Sequence, residues 1–152
     1  MNLEQQLEII INDAANYGVP TIVVEKAIAP IIKLFAARLN HLEYYVLQNI
    51  AEDWVLTTIT NPQLEEKQVI YAFVSVRDAA TFQSKINPDL IAMPIPVVQL
   101  LFRLFSLQQV DSIIFIEDSH NLDRGVEVKR EILLQLIQQS IERLTQTPPD
   151  LA

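Results

Sequence analysis

The sequence predicts an α/β (α+β) fold: a mixed sheet with flanking helices, preceded by an N-terminal helical pair. Three observations carry this reading. Apolar residues recur at helical spacing across residues 3–39. Short runs rich in aromatic and β-branched residues follow between residues 44 and 76. Beyond residue 78 helical and strand-like segments alternate around one unbroken apolar run, Ile113-Ile114-Phe115-Ile116. With 152 residues the chain reads as a single domain, 1–152, with the helical pair at 3–39, the sheet and its helices at 42–144, and a frayed tail at 145–152.

Leu3, Leu7, Ile10, Ile11 and Ala14 form one stripe, with Glu4, Glu8 and Asp13 on the remaining face. This amphipathic helix ends near Tyr17, where Gly18 supplies a stop and Pro20 bars continuation. Thr21 caps a second helix whose face is Val24, Ile28, Ile31, Ile32, Phe35 and Leu39. Pro30 removes a backbone donor inside it, which predicts a kink or two helical pieces with Pro30 in the first turn of the second. Asn40-His41 ends the run, and His41 is placed to interact with the helix end.

Three strand-like runs come next: Tyr44 to Leu47, Trp54 to Thr60 and Val69 to Val76. Turn chemistry between them predicts a three-stranded meander, with Trp54, Tyr44 and Tyr45 packed as core or cross-strand residues. Asp78 then caps a short helix holding Ala79, Phe82 and Ile86, stopped by Asn87-Pro88. Leu90 to Pro94 is a strand, and Pro96 opens a helix through Leu107. The run Asp111 to Ile116 reads as a central strand, because an unbroken apolar segment is one buried on both faces. Val126 to Val128 is an edge strand, and Arg130 to Leu144 a helix with the stripe Leu133, Ile137, Ile141 and Leu144. Pro148-Pro149 closes the chain.

The segments Val69 to Phe82, Leu90 to Leu101 and Gln109 to Ile116 resemble parts of the SseB N-terminal domain, in a stretch from about Trp54 to Ile141. The chain departs from that family's pattern at two places. Glu117-Asp118-Ser119 stands where the family's strand ends in Asn-Pro-Gly, and Val74-Ser75 stands at its Phe-Thr pair. The resemblance implies an α/β sandwich-like domain used for protein contacts, with no catalytic residues to carry over.

Composition excludes several chemistries. There is no cysteine, which removes disulfides, thiolate metal sites and cysteine nucleophiles together. Gly18 and Gly125 are the only glycines, so neither a dinucleotide fingerprint, a Walker-type phosphate loop nor a Gly-x-Ser-x-Gly elbow occurs. A net charge of −8 opposes a grip on nucleic acid or an anionic membrane. The acidic, polar start Met-Asn-Leu-Glu lacks the basic opening of a secretory signal, and no apolar run reaches the roughly 20 residues of a spanning helix. A cytoplasmic location is the expectation.

Two clusters invite a chemical reading. Glu117, Asp118, His120 and Asp123 follow the central strand, where open α/β sheets place their ligand sites, and together offer oxygen and nitrogen donors to a divalent cation. Asp53 with Glu65 and Lys67 imitates the acidic-x-Lys spacing of metal-dependent nucleases, but sits in a turn and reads as a charged hairpin tip. A third feature is the helix Val97 to Leu107, apolar almost all round with Arg103 its one charge. A helix on a sheet needs a single stripe of about 100°. Val98 and Phe102 therefore need a cover, either the N-terminal helices or a second chain, with Arg103 at the rim of a homodimer contact. The functional expectation is a non-enzymatic protein-interaction or regulatory module that needs no cofactor. The alternative is a metal-assisted hydrolase or small-ligand binder using the acidic and histidine cluster.

Overall fold

Helix α1 (Leu3–Asn12) starts at Asn2, whose side chain accepts the N–H of Gln5 while the Gln5 side chain accepts the N–H of Asn2. The computed structural model describes residues 1–83, 87–122 and 124–146. After α1 a 3-10 turn (Ala14–Tyr17) ends at Gly18, whose φ of 71° is the left-handed conformation that favours glycine. The second helical run has three parts: α2 (Thr21–Val23), a π-helical stretch (Val24–Ile28) and α3 (Ala29–Ala36). Pro30 lies in the first turn of α3, as its missing donor requires. The widened stretch ahead of it is closed by the Ala29 N–H bonding to the carbonyl of Val24.

The strands are β1 (Glu43–Gln48), β2 (Thr57–Thr60), β3 (Glu66–Phe73), β4 (Ile91–Pro96), β5 (Ser112–Ile116) and β6 (Val126–Lys129). They form one mixed sheet in the order β4-β1-β3-β5-β6, with β2 also paired to β3. The β3–β5 pair is parallel and the others are antiparallel. β5 is bonded along both edges and its two faces are both buried, as its apolar run requires.

The expected meander is changed in one respect. β1 and β2 share the same edge of β3, in registers Tyr45↔Phe73 and Thr57↔Val69. Residues 54 and 55 instead fold back against the end of β1, through a Gln48–Trp54 bridge and a Val55 N–H to Leu47 carbonyl bond of 2.9 Å. Periodicity reveals strands but not which edges they share.

The sheet separates two apolar regions. Tyr44, Val46, Ile70, Ala72, Ile113, Phe115 and Val128 face the main helical layer of α1, α3, α5 (Val97–Ser106) and α6 (Arg130–Gln146). The opposite face is covered in part by α4 (Val76–Phe82), where Ala79 packs with Phe73 and Ile116. Two sequence-based boundaries move. Ser75 caps α4, its Oγ accepting the Asp78 N–H at 3.1 Å, so Asp78 is inside the helix. Pro96 ends β4 and precedes α5, with Pro94 tolerated because β4 is an edge strand. Ile86 and the Pro148-Pro149 tail lie outside the described residues.

The N-terminal pair is part of the same core as the sheet. Leu7, Ile10, Val24, Ile28 and Ile32 are buried with Val98, Leu101 and Phe102 of α5. Gln6, buried in that contact, joins three elements: its Oε1 accepts the Val98 N–H at 3.0 Å and its Nε2 donates to the Leu42 carbonyl at 2.9 Å. The first bond satisfies a helix-end donor that has no intrahelical partner. At the other end of α5, Arg130 donates to the carbonyls of Leu104 and Phe105 at 3.1 and 3.0 Å.

On the α4 face, Lys67 and Glu127 form an ion pair, and Ser112 Oγ donates to the same Glu127 carboxylate at 2.7 Å. Burial pushes the Glu127 carboxyl up, but hydrogen bonds from Lys67 and Ser112 outweigh it and hold its pKa below the usual 4.5. A depressed carboxyl stabilises the fold fully above its unfolded pKa and loses that contribution as pH falls through the folded one. We expect Glu127→Gln to be less stable than wild type at pH 7, and the gap to close on acidification below pH 4.5. Urea unfolding at several pH values measures this, and a gap independent of pH would contradict it.

Candidate functional site

A recess lies on the helical side of the sheet, where the end of α5 meets the segment leading into β2. Its volume is about 580 Å³, and its walls include Asp53, Trp54, Leu56, Ile70 and Arg103 together with the α5–β5 loop residues Gln108 and Gln109. Trp54 is carried there by a tight loop. Asn49 Oδ1 accepts the Asp53 N–H, the Asn49 N–H bonds to the Asp53 carbonyl at 3.0 Å, and Glu52 takes a left-handed φ of 66°. Arg103 is delivered by the last turn of α5, whose other faces are buried.

The two side chains stack, with the Arg103 guanidinium carbon 4.0 Å from the centroid of the indole. Trp54 is 8% exposed, and its Nε1–H has no acceptor among the described residues. Arg103 is half-buried and has no carboxylate within ion-pairing distance among the described residues. Asp53 lines the same cleft without pairing to it. A partly desolvated guanidinium with free donors, backed by an aromatic plane, is suited to a planar anion such as a carboxylate.

The sequence-based candidates are placed elsewhere. Glu117 directly follows β5 and is occupied: it accepts hydrogen bonds from the Tyr44 hydroxyl and, at 2.8 Å, from the Asn40 N–H. Burial, then the hydrogen bond and charge of Glu117, push the Tyr44 hydroxyl well above the usual tyrosine range, so it remains a donor. Asp118 accepts the His120 N–H at 2.8 Å within its own turn, and the His120 side chain is exposed. Asp123 lies outside the described residues. Among the described residues no group of three His, Asp or Glu side chains is arranged to hold a metal ion. His41 packs its ring edge-on to Tyr44 at 5.6 Å. Lys67 lies within β3 and pairs with Glu127, away from Asp53.

The proposed homodimer contact needs a correction. Val98 and Phe102 are buried inside this chain, covered by the N-terminal helices, with Tyr17 edge-on to Phe102 at 5.3 Å. Neither is available at a surface, and the surplus apolar faces of α5 are explained by the helical pair. Arg103 lines the cleft beside Trp54. Sequence reading placed Trp54 in the core, where it is, but did not pair it with Arg103. The available signal was rarity: the chain's one tryptophan and the one charge on an otherwise apolar helix.

No family model matches the chain, and no curated protein sequence matches it. No helix among the described residues is long and apolar enough to cross a membrane.

Proposed function

We propose that this protein is a non-enzymatic interaction or regulatory module that recognises an acidic side chain of a partner in the Trp54–Arg103 cleft. The observation that carries this reading is the half-buried guanidinium stacked on the indole without a carboxylate partner among the described residues. Desolvating a cation costs free energy that an incoming carboxylate offsets with charge-assisted hydrogen bonds. The other cleft walls are the Asp53 carboxylate, the Ser106 hydroxyl, the amides of Gln108 and Gln109, and apolar side chains that serve fit.

The chain has one tryptophan, so its fluorescence reports on this cleft alone. Titration with N-acetyl-glutamate amide should give a saturable change, whereas N-acetyl-glutamine amide should bind about tenfold more weakly, the loss of one charge-assisted interaction. Arg103→Gln should remove the preference between the two probes. Equal responses to both probes in the wild type, or no response, would overturn the reading.

A further inference from the structure

The strand order leaves open edges on β4, β6 and β2. Exposed edges in native proteins are ordinarily blunted by proline or charge. β4 carries Pro94 and Pro96, and β6 carries Glu127 and Lys129. β2 has neither: Thr57-Thr58-Ile59-Thr60 is uncharged and β-branched throughout.

The ladder shows which groups this edge presents. Asn61 donates its N–H to the Glu65 carbonyl at 3.0 Å, so by antiparallel alternation Thr57 and Ile59 face β3. Thr58 and Thr60 then direct their N–H and C=O away from the sheet. The β3 side agrees, because Gln68, opposite Thr58, gives its N–H to Asp111 Oδ2 at 2.7 Å and its carbonyl accepts the Asp111 N–H at 2.8 Å. β2 also continues directly from Trp54 and Leu56, which line the cleft. Arg103 and Asp53 lie near the Leu56 end of this edge, and Glu65, Glu66 and Lys67 at its far end, where the Lys67 charge is taken up by Glu127.

From this edge and this charge pattern we infer that β2 takes an extended peptide of a partner protein as an added strand. An acidic side chain of that peptide enters the cleft at the Leu56 end, and neutral or basic residues lie beside Glu65 and Glu66. Main-chain bonds to Thr58 and Thr60 supply affinity and the Arg103 contact supplies selectivity. The inference rests on the carboxylate reading of the cleft. A second copy of the chain is disfavoured on this edge by net repulsion, because each chain carries −8.

The test uses the full chain and two capped peptides, acetyl-Glu-Val-Thr-Val-Thr-Val-Lys-amide and its reverse order, read by amide hydrogen exchange and Trp54 fluorescence. One order should slow exchange at Thr58 and Thr60 by about tenfold or more and change the fluorescence. Thr58→Pro, which removes an outward donor that the β3 ladder does not use, should abolish peptide binding while N-acetyl-glutamate amide still binds. The same peptide N-methylated at alternate residues should fail on the wild type, which keeps the test valid if Thr58→Pro does not fold. Fluorescence changes without slowed exchange would overturn the added strand and leave the cleft reading standing. No response to the peptides or to N-acetyl-glutamate amide would overturn both. Thr58 protection without peptide, rising with protein concentration alongside a doubled mass in light scattering, would assign the edge to a second copy and overturn the inference.

Discussion

Phe102→Glu should unfold the protein. The ring is 5% exposed, edge-on to Tyr17 and enclosed by the same core that holds Leu7, Ile10 and Ile28. Removing a buried phenylalanine side chain costs about 3–5 kcal/mol. An unpaired carboxylate in its place adds several kcal/mol more, or must be protonated to stay. Against a typical total of about 5–15 kcal/mol, little or no folded population is left. Circular dichroism should show no cooperative melt, and the proton NMR spectrum should lose its dispersion. Phe102→Leu, which keeps an apolar side chain, should stay folded with a lowered melting temperature. A folded Phe102→Glu protein would mean that the position is at a surface after all.

A truncation beginning at Leu42 should fail to fold. It removes Leu7, Ile10, Val24, Ile28 and Ile32, all buried against the layer that α5 and the sheet share. At about 1.5–3 kcal/mol for each buried side chain, the loss is comparable to the entire stability of a domain this size. Gln6 goes too, leaving the Val98 N–H without its acceptor. Residues 42–152 should be insoluble or bind hydrophobic dyes without a cooperative melt. A soluble fragment that melts cooperatively would show the helical pair to be an appendage on an independent sheet domain.

The helical pair, the buried β5 and the stripe of α6 were all legible in the sequence because each leaves a local pattern, a helical period or an unbroken apolar run. Leu133 and Ile137 are buried as their spacing predicts, and Pro30 divides the second helix where its missing donor requires. Strand order was not legible, since nothing local to residues 54–60 shows that they share an edge of β3 with β1. The same gap hid the cleft. Trp54 and Arg103 meet only because the loop at 49–53 turns the tryptophan back along β1 and α5 ends against it. Glu117 illustrates the converse. Its place after β5 was read correctly, but the sheet brings Tyr44 and the Asn40 N–H to it, which turns a candidate ligand into a structural tie.

The most direct measurement is a ¹H–¹⁵N spectrum in which the chain's one tryptophan gives one indole N–H resonance. On titration with N-acetyl-glutamate amide, that resonance and the Arg103 Nε–H should move together and saturate, and the indole shift should vanish in Arg103→Gln while the rest of the spectrum stays unchanged. An indole resonance that stays fixed while other residues respond, or one that moves equally in Arg103→Gln, would contradict the assignment of the Trp54–Arg103 cleft as the recognition site.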